Sequence, residues 1–64
     1  MRLSIVIITY NNVDVIDDCL RSIFEQTREV ELEVIVTDND SKDGTIELVR
    51  ERYPRVHLIE NRAN

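Results

Sequence analysis

The residues best suited to chemistry fall in three short polar stretches: Thr9 to Asn12, Asp38 to Asp43, and Glu60 to Asn64. Gly44 is the single glycine. That excludes both the GxGxxG dinucleotide turn and the GxxxxGK[ST] phosphate loop, which need several glycines to bring backbone close to phosphate. A nucleotide bound here would be recognised by side chains. The Tyr10 ring offers a stacking surface, and the Asp38 carboxylate can accept hydrogen bonds from a base or a ribose.

Other chemistries fit less well. Cys19 is the only cysteine and His57 the only histidine, so an internal disulfide is excluded and a Cys/His zinc site is short of ligands. Asp38-Asn39-Asp40 opens like a calcium loop, but Gly44 stands seventh rather than sixth and Val49 occupies the place of the terminal glutamate. A phospho-accepting receiver domain would need paired acidic residues after the first strand, where Tyr10 and Asn11 stand instead. Ser41 and Asp43 have the residue types of helix caps, and Asn11 could combine capping with a pocket role. Cys19 reads as a small core residue and His57 as a packing or hydrogen-bonding residue. Asp17-Asp18 and the charges from Glu47 to Arg52 read as solvated helix faces.

The elements that must position these stretches are marked by period and punctuation. Leu3 to Ile8 is a β-branched run, apolar in both phases as in a strand covered on both sides. Asn11 and Asn12 offer a cap and Asp14 a first-turn carboxylate. Ile16, Cys19, Leu20, Ile23 and Phe24 then recur at helical spacing, predicting a helix from Val13 to Gln26. Leu32 to Val36 predicts a second strand ending at Thr37, and Ile46, Val49 and Tyr53 a second helix that stops before Pro54. Val56, Leu58 and Ile59 predict a third strand.

The order β-α-β-α-β with crossover-length connections predicts an α/β, three-layer Rossmann-like fragment with parallel strand order 3-2-1. In such sheets ligands gather outside the carboxyl ends of the strands, where all three polar stretches converge. Two successive right-handed crossovers in one direction put both helices on one face. The other face is then bare, although its strands are apolar there, and a second copy or further polypeptide is expected to cover it.

At 64 residues the chain is one small unit. Chains near this size bury only about 60% of their unfolded surface. The 8 basic and 13 acidic residues give a formal charge of -5, which repels nucleic acid and anionic membrane. No stretch is long enough to span a bilayer and no signal-peptide pattern is present, so the expected location is cytoplasmic.

Four segments in order, IVIITYNN (5–12), CLRSIFEQT (19–27), VIVTDNDSKDGT (34–45) and ENRAN (60–64), resemble the opening of family 2 glycosyltransferases of the GT-A fold. The family pattern is written V-I-I-P-T-Y-N, C-L-x-S-[IL]-x-x-Q-T, V-D-[DN]-G-S-x-D-G-T and E-N-x-x-N. The resemblance implies a nucleotide-diphosphate sugar as donor, with Thr9, Tyr10 and Asn11 lining its nucleotide pocket and Asp38 contacting the base. Asp40 and Asn64 stand second in line, and Asp43 looks like a loop-fixing residue.

Three positions depart from the pattern: Ile8 replaces proline, Thr37 precedes Asp38, and Asp40 replaces glycine. The resemblance further implies that residues 1–64 are the incomplete N-terminal part of a GT-A domain, inactive alone and with no catalytic or metal-binding residue of its own. The Mg or Mn ion, catalytic base and acceptor site would lie outside this chain, and any membrane association would come from there. Asp38-Asn39-Asp40 is not equated with the family's D-x-D metal motif. The competing expectation is a non-catalytic α/β scaffold that self-associates through its bare sheet face.

Overall fold

A computed structural model describes residues 2–62. The elements follow in the order β1 (Arg2–Thr9), α1 (Val13–Gln26), β2 (Glu31–Asp38), α2 (Thr45–Arg52) and β3 (His57–Glu60). All three strands are parallel, in sheet order β1-β2-β3, which is the expected 3-2-1 read from the opposite edge. Register runs from Arg2 opposite Glu31 to Thr9 opposite Asp38, and from Ile35 opposite His57 to Asp38 opposite Glu60. The strands therefore end level with one another, and their following loops share one edge.

Helix α1 forms where the apolar period predicts it, with Asp14 placing negative charge in the first turn. Helix α2 begins after Gly44, whose φ of 94° lies in the left-handed region that a side chain disfavours. A Cβ there would meet only Val13 Cγ2 at 3.8 Å, so conformation rather than space calls for glycine. Arg50 and Arg52 occupy the last turn of α2, where cations complement the helix dipole. The Tyr53 N–H still bonds to the Val49 carbonyl, and Pro54 then ends the run.

The core lies between the sheet and the helices. Ile16 and Leu20 from α1 and Val49 from α2 join Val34 and Val36 of β2 in one buried cluster with Val56. Both helices thus cover the same face of the sheet, as the handedness argument predicts. Each fully buried aliphatic side chain contributes about 1.5–3 kcal/mol. Of the three expected layers, the described residues supply the sheet and one helical layer. On the opposite face Val6 and Ile8 are 63% and 70% exposed, and Ile59 is also exposed.

Two side chains differ from expectation. Cys19 is exposed rather than in the core. It sits three residues beyond Ile16, roughly 60° round the helix, on the flank of a stripe that centres on Ile16 and Leu20. Asp17 is no solvated charge: it accepts hydrogen bonds from the Tyr53 hydroxyl and from Arg52, 2.6 Å away, and so joins α1 to the end of α2.

Candidate functional site

Strand alternation decides which residues at the loop edge face inward. Asp38 continues the phase of Val34 and Val36, so its carboxylate enters the core side, and it is 0% exposed. There it is fully partnered. Thr9 Oγ1 donates to Asp38 Oδ1 at 2.5 Å, the Ser41 hydroxyl to the same oxygen at 2.6 Å, and the Ser41 N–H to Oδ2 at 2.7 Å. Burial pushes the Asp38 pKa up, but hydrogen bonds from the Ser41 hydroxyl, Thr9 and the Ser41 amide outweigh it and leave the carboxyl below its usual value. Asp38 remains an anion that folds its own loop.

The geometry sets two of the expected site residues beneath the loops and adds a third residue at their edge. Thr9 and Asp38 come together and, at 1% and 0% exposure, form the floor beneath the loops. Asn39, which sequence reasoning passed over, is the first side chain beyond β2 in the opposite phase. Its N–H bonds to the Thr9 carbonyl at 2.8 Å and its side-chain oxygen accepts from Asn61 Nδ2 at 3.1 Å. The alternation of Val34, Val36 and Asp38 could have signalled it.

The loop after β1 is joined to the loop after β2 by several bonds. Asn11 has φ 53° and Asp40 φ 63°, both in the left-handed region. The Asn11 N–H donates to Ser41 Oγ at 2.8 Å and Asn11 Oδ1 accepts from the Lys42 N–H at 2.9 Å. Asn12 does not cap α1 with its side chain; its Oδ1 instead accepts from the Tyr10 N–H at 2.7 Å. Asp43 caps α1 from across the site, accepting from the Val13 N–H at 3.1 Å, and also accepts from the Thr45 N–H at 3.1 Å. The Thr45 hydroxyl, more than the amides, holds the Asp43 carboxyl below its usual pKa. Ser41 braces the loops instead of capping a helix.

Tyr10 is held within this frame and remains 64% exposed. Asp40 is partly exposed and pairs with Lys42 at 3.1 Å. Glu60 pairs with Arg50 and Arg62. Asn64 lies outside the described residues.

A divalent cation does not fit here. Asp38 turns inward, Asp43 faces the two helix starts, and Asp40 faces Lys42. Among the described residues no three Asp, Glu, His or Cys side chains gather. No described helix is long and apolar enough to cross a membrane.

A cavity of about 430 Å³ lies at the other end of the sheet, between Phe24, Leu32, Tyr53 and Pro54, with Arg28, Arg52 and Arg55 at its rim. The Phe24 and Tyr53 rings stack there with centroids 6.0 Å apart, and the Arg55 guanidinium lies 5.7 Å from the Phe24 centroid. These arginines lie at or just beyond the carboxyl ends of the two helices, where cations offset the dipoles. None of the strand-end residues lines that cavity.

Comparison with known proteins adds to the geometry. The family model described as glycosyl transferase family 2 matches residues 4–64. A poly(ribitol-phosphate) beta-glucosyltransferase from Bacillus spizizenii (strain ATCC 23059 / NRRL B-14472 / W23) is 37% identical over 68 aligned positions, covering 100% of this chain and 11% of the relative. This chain therefore spans about a tenth of that relative's length. No solved structure matches.

Proposed function

The chain belongs to glycosyl transferase family 2, and from that premise we propose that its strand-end loops bind the nucleotide of a nucleotide-diphosphate sugar for transfer to an acceptor. The carrying observation is Tyr10, an exposed aromatic ring on a hydrogen-bonded loop at the carboxyl edge of a parallel sheet. Its ring would lie against the base. Asn39 and Asp40 stand on the accessible side of the loop, with donors and acceptors for base or ribose. Thr9 and Asp38 would act beneath them by fixing the loop.

The edge is rich in carboxylates, which repel a diphosphate. A Mg or Mn ion, which the family resemblance implies, is assigned here to ligands outside this chain, as are the catalytic base and acceptor site. The chain by itself is expected to bind without catalysing transfer.

The test is an NMR titration with uridine diphosphate, comparing the wild type with Tyr10→Ala. An exposed tyrosine can be truncated without emptying the core. Shifts centred on Tyr10 and Asn39 that are lost in the variant would support the reading. A folded protein with no response would refute it.

The uncovered face of Val6, Ile8 and Ile59 favours a second reading, a scaffold that self-associates there. A silent titration together with a mass that rises with concentration would favour that alternative.

A further inference from the structure

Asn11 bonds across the site in both directions. Its N–H donates to Ser41 Oγ, whose own hydroxyl donates to Asp38 Oδ1, and Thr9 Oγ1 donates to that same oxygen. Its side-chain oxygen accepts from Lys42 N–H, beyond Ser41. Thr9 and Asn11 are the neighbours of Tyr10, so the backbone that carries its ring is fastened on both sides. Its own N–H is held by Asn12 Oδ1. The left-handed φ of 53° at Asn11 makes the turn that lets one residue reach both partners, and asparagine tolerates that region better than most side chains.

We propose that Asn11 is a positioning residue for donor binding. It sets the Tyr10 ring by locking the loop after β1 to the Asp38–Lys42 segment, rather than by touching the nucleotide. The proposal rests on the nucleotide reading above. An ordered aromatic surface need not be immobilised when the base arrives, so the clasp lowers the entropic cost of binding. Direct contact would use the Asn11 side-chain N–H groups, which no bond among the described residues engages, or the second lone pair of Oδ1.

Two variants separate these roles. Asn11→Gly keeps the left-handed turn and the N–H to Ser41 but removes the acceptor for Lys42. Asn11→Asp keeps that acceptor and removes the side-chain N–H groups. One hydrogen bond nets about 0.5–1.5 kcal/mol, so its loss should read as roughly a 2- to 10-fold change.

In the full chain, amide exchange of Lys42 should accelerate by about that factor in Asn11→Gly without any nucleotide, and uridine diphosphate affinity should weaken similarly. Asn11→Asp should restore Lys42 protection and recover most of the affinity. Wild-type protection of Lys42 in Asn11→Gly would overturn the proposal. So would an Asn11→Asp protein that protects Lys42 but binds no better than the glycine variant. If the wild type itself ignores uridine diphosphate, the nucleotide reading fails, whereas the exchange result still decides whether the clasp exists.

Discussion

Replacing Asp38 by asparagine is the sharpest test of a carboxylate that folds the site from beneath. In the wild type Oδ1 accepts two hydroxyls at 2.5 and 2.6 Å, and Oδ2 accepts the Ser41 N–H at 2.7 Å. Asparagine has one acceptor oxygen, and its amino group must point at one of these donor sets. The hydroxyls of Thr9 and Ser41 can rotate and the backbone N–H cannot. The better rotamer therefore keeps the oxygen on Ser41 N and turns the NH₂ toward the hydroxyls.

The loss is then the charge assistance at three bonds plus the reorientation of two hydroxyls. Bonds to a charged group net about 1.5–3 kcal/mol and neutral ones about 0.5–1.5, so the variant should lose about 2–4 kcal/mol. A domain of this size has roughly 3–10 kcal/mol in total at 0.05–0.15 kcal/mol per residue, so the change is large.

The pH dependence gives the argument a second handle. The folded Asp38 carboxyl titrates below its unfolded value of 3.8. Its contribution is therefore fully present above 3.8 and is lost as pH falls through the lower folded value. Protonated Asp38 resembles asparagine, so the gap between wild type and variant should narrow on that acid limb. Urea unfolding followed by far-UV circular dichroism, from pH 7 downward, measures both quantities. A difference below about 0.5 kcal/mol at pH 7, the scatter of ordinary surface substitutions, would refute the reasoning. So would a gap that stays constant through the acid limb.

Two further outcomes follow from backbone strain and from titration. Asp40→Gly removes a side chain from a left-handed position, φ 63°, and gives up only an exposed pair with Lys42. A gain of about 0.5 kcal/mol and a melting temperature higher by about 2–4 °C are expected in a thermal scan. The Tyr53 hydroxyl is pushed from 10.0 to about 12 by burial and then by its bond to Asp17. Its contribution is present below pH 10.0 and is lost as pH rises toward about 12. Tyr53→Phe should be less stable at pH 7 and should fall more gently than wild type over that alkaline window in the same unfolding assay.

Much of the architecture is legible along the chain because it rests on local period. Ile16, Leu20, Ile23 and Phe24 fix α1 from Val13 to Gln26, and the β-branched runs place β1 and β2. Handedness alone puts both helices on one face. The site is less legible because its bonds join residues about 30 apart. Asn12 has the type of a helix cap, yet Asp43 of the other loop takes that role, and no pattern around Val13 announces it. Asp38 stands at the head of an acidic loop, which suggests exposure, whereas the phase of Val34 and Val36 turns it inward. Cys19 shows a limit of period itself: a helix covered on one side has flanks as well as a buried stripe.

The pairing of Thr9 with Asp38 also bears on how the chain can misfold. The two are direct partners in the parallel ladder, so their bond forms only when β1 and β2 are aligned along their whole length. A slip of one residue would turn the partner of Thr9 to the other side of the sheet and leave a charge with nothing to receive it. The middle of the ladder, Ile5–Val34, Val6–Ile35 and Ile7–Val36, is made of interchangeable valines and isoleucines that would tolerate such a slip, and the polar Ser4–Glu33 pair near the other end is exposed. One polar pair at the end of the ladder thus acts as a proofreader of strand alignment. A chain that has docked its strands wrongly will also lack the loop edge, so misaligned molecules should not survive as folded impostors with a damaged site.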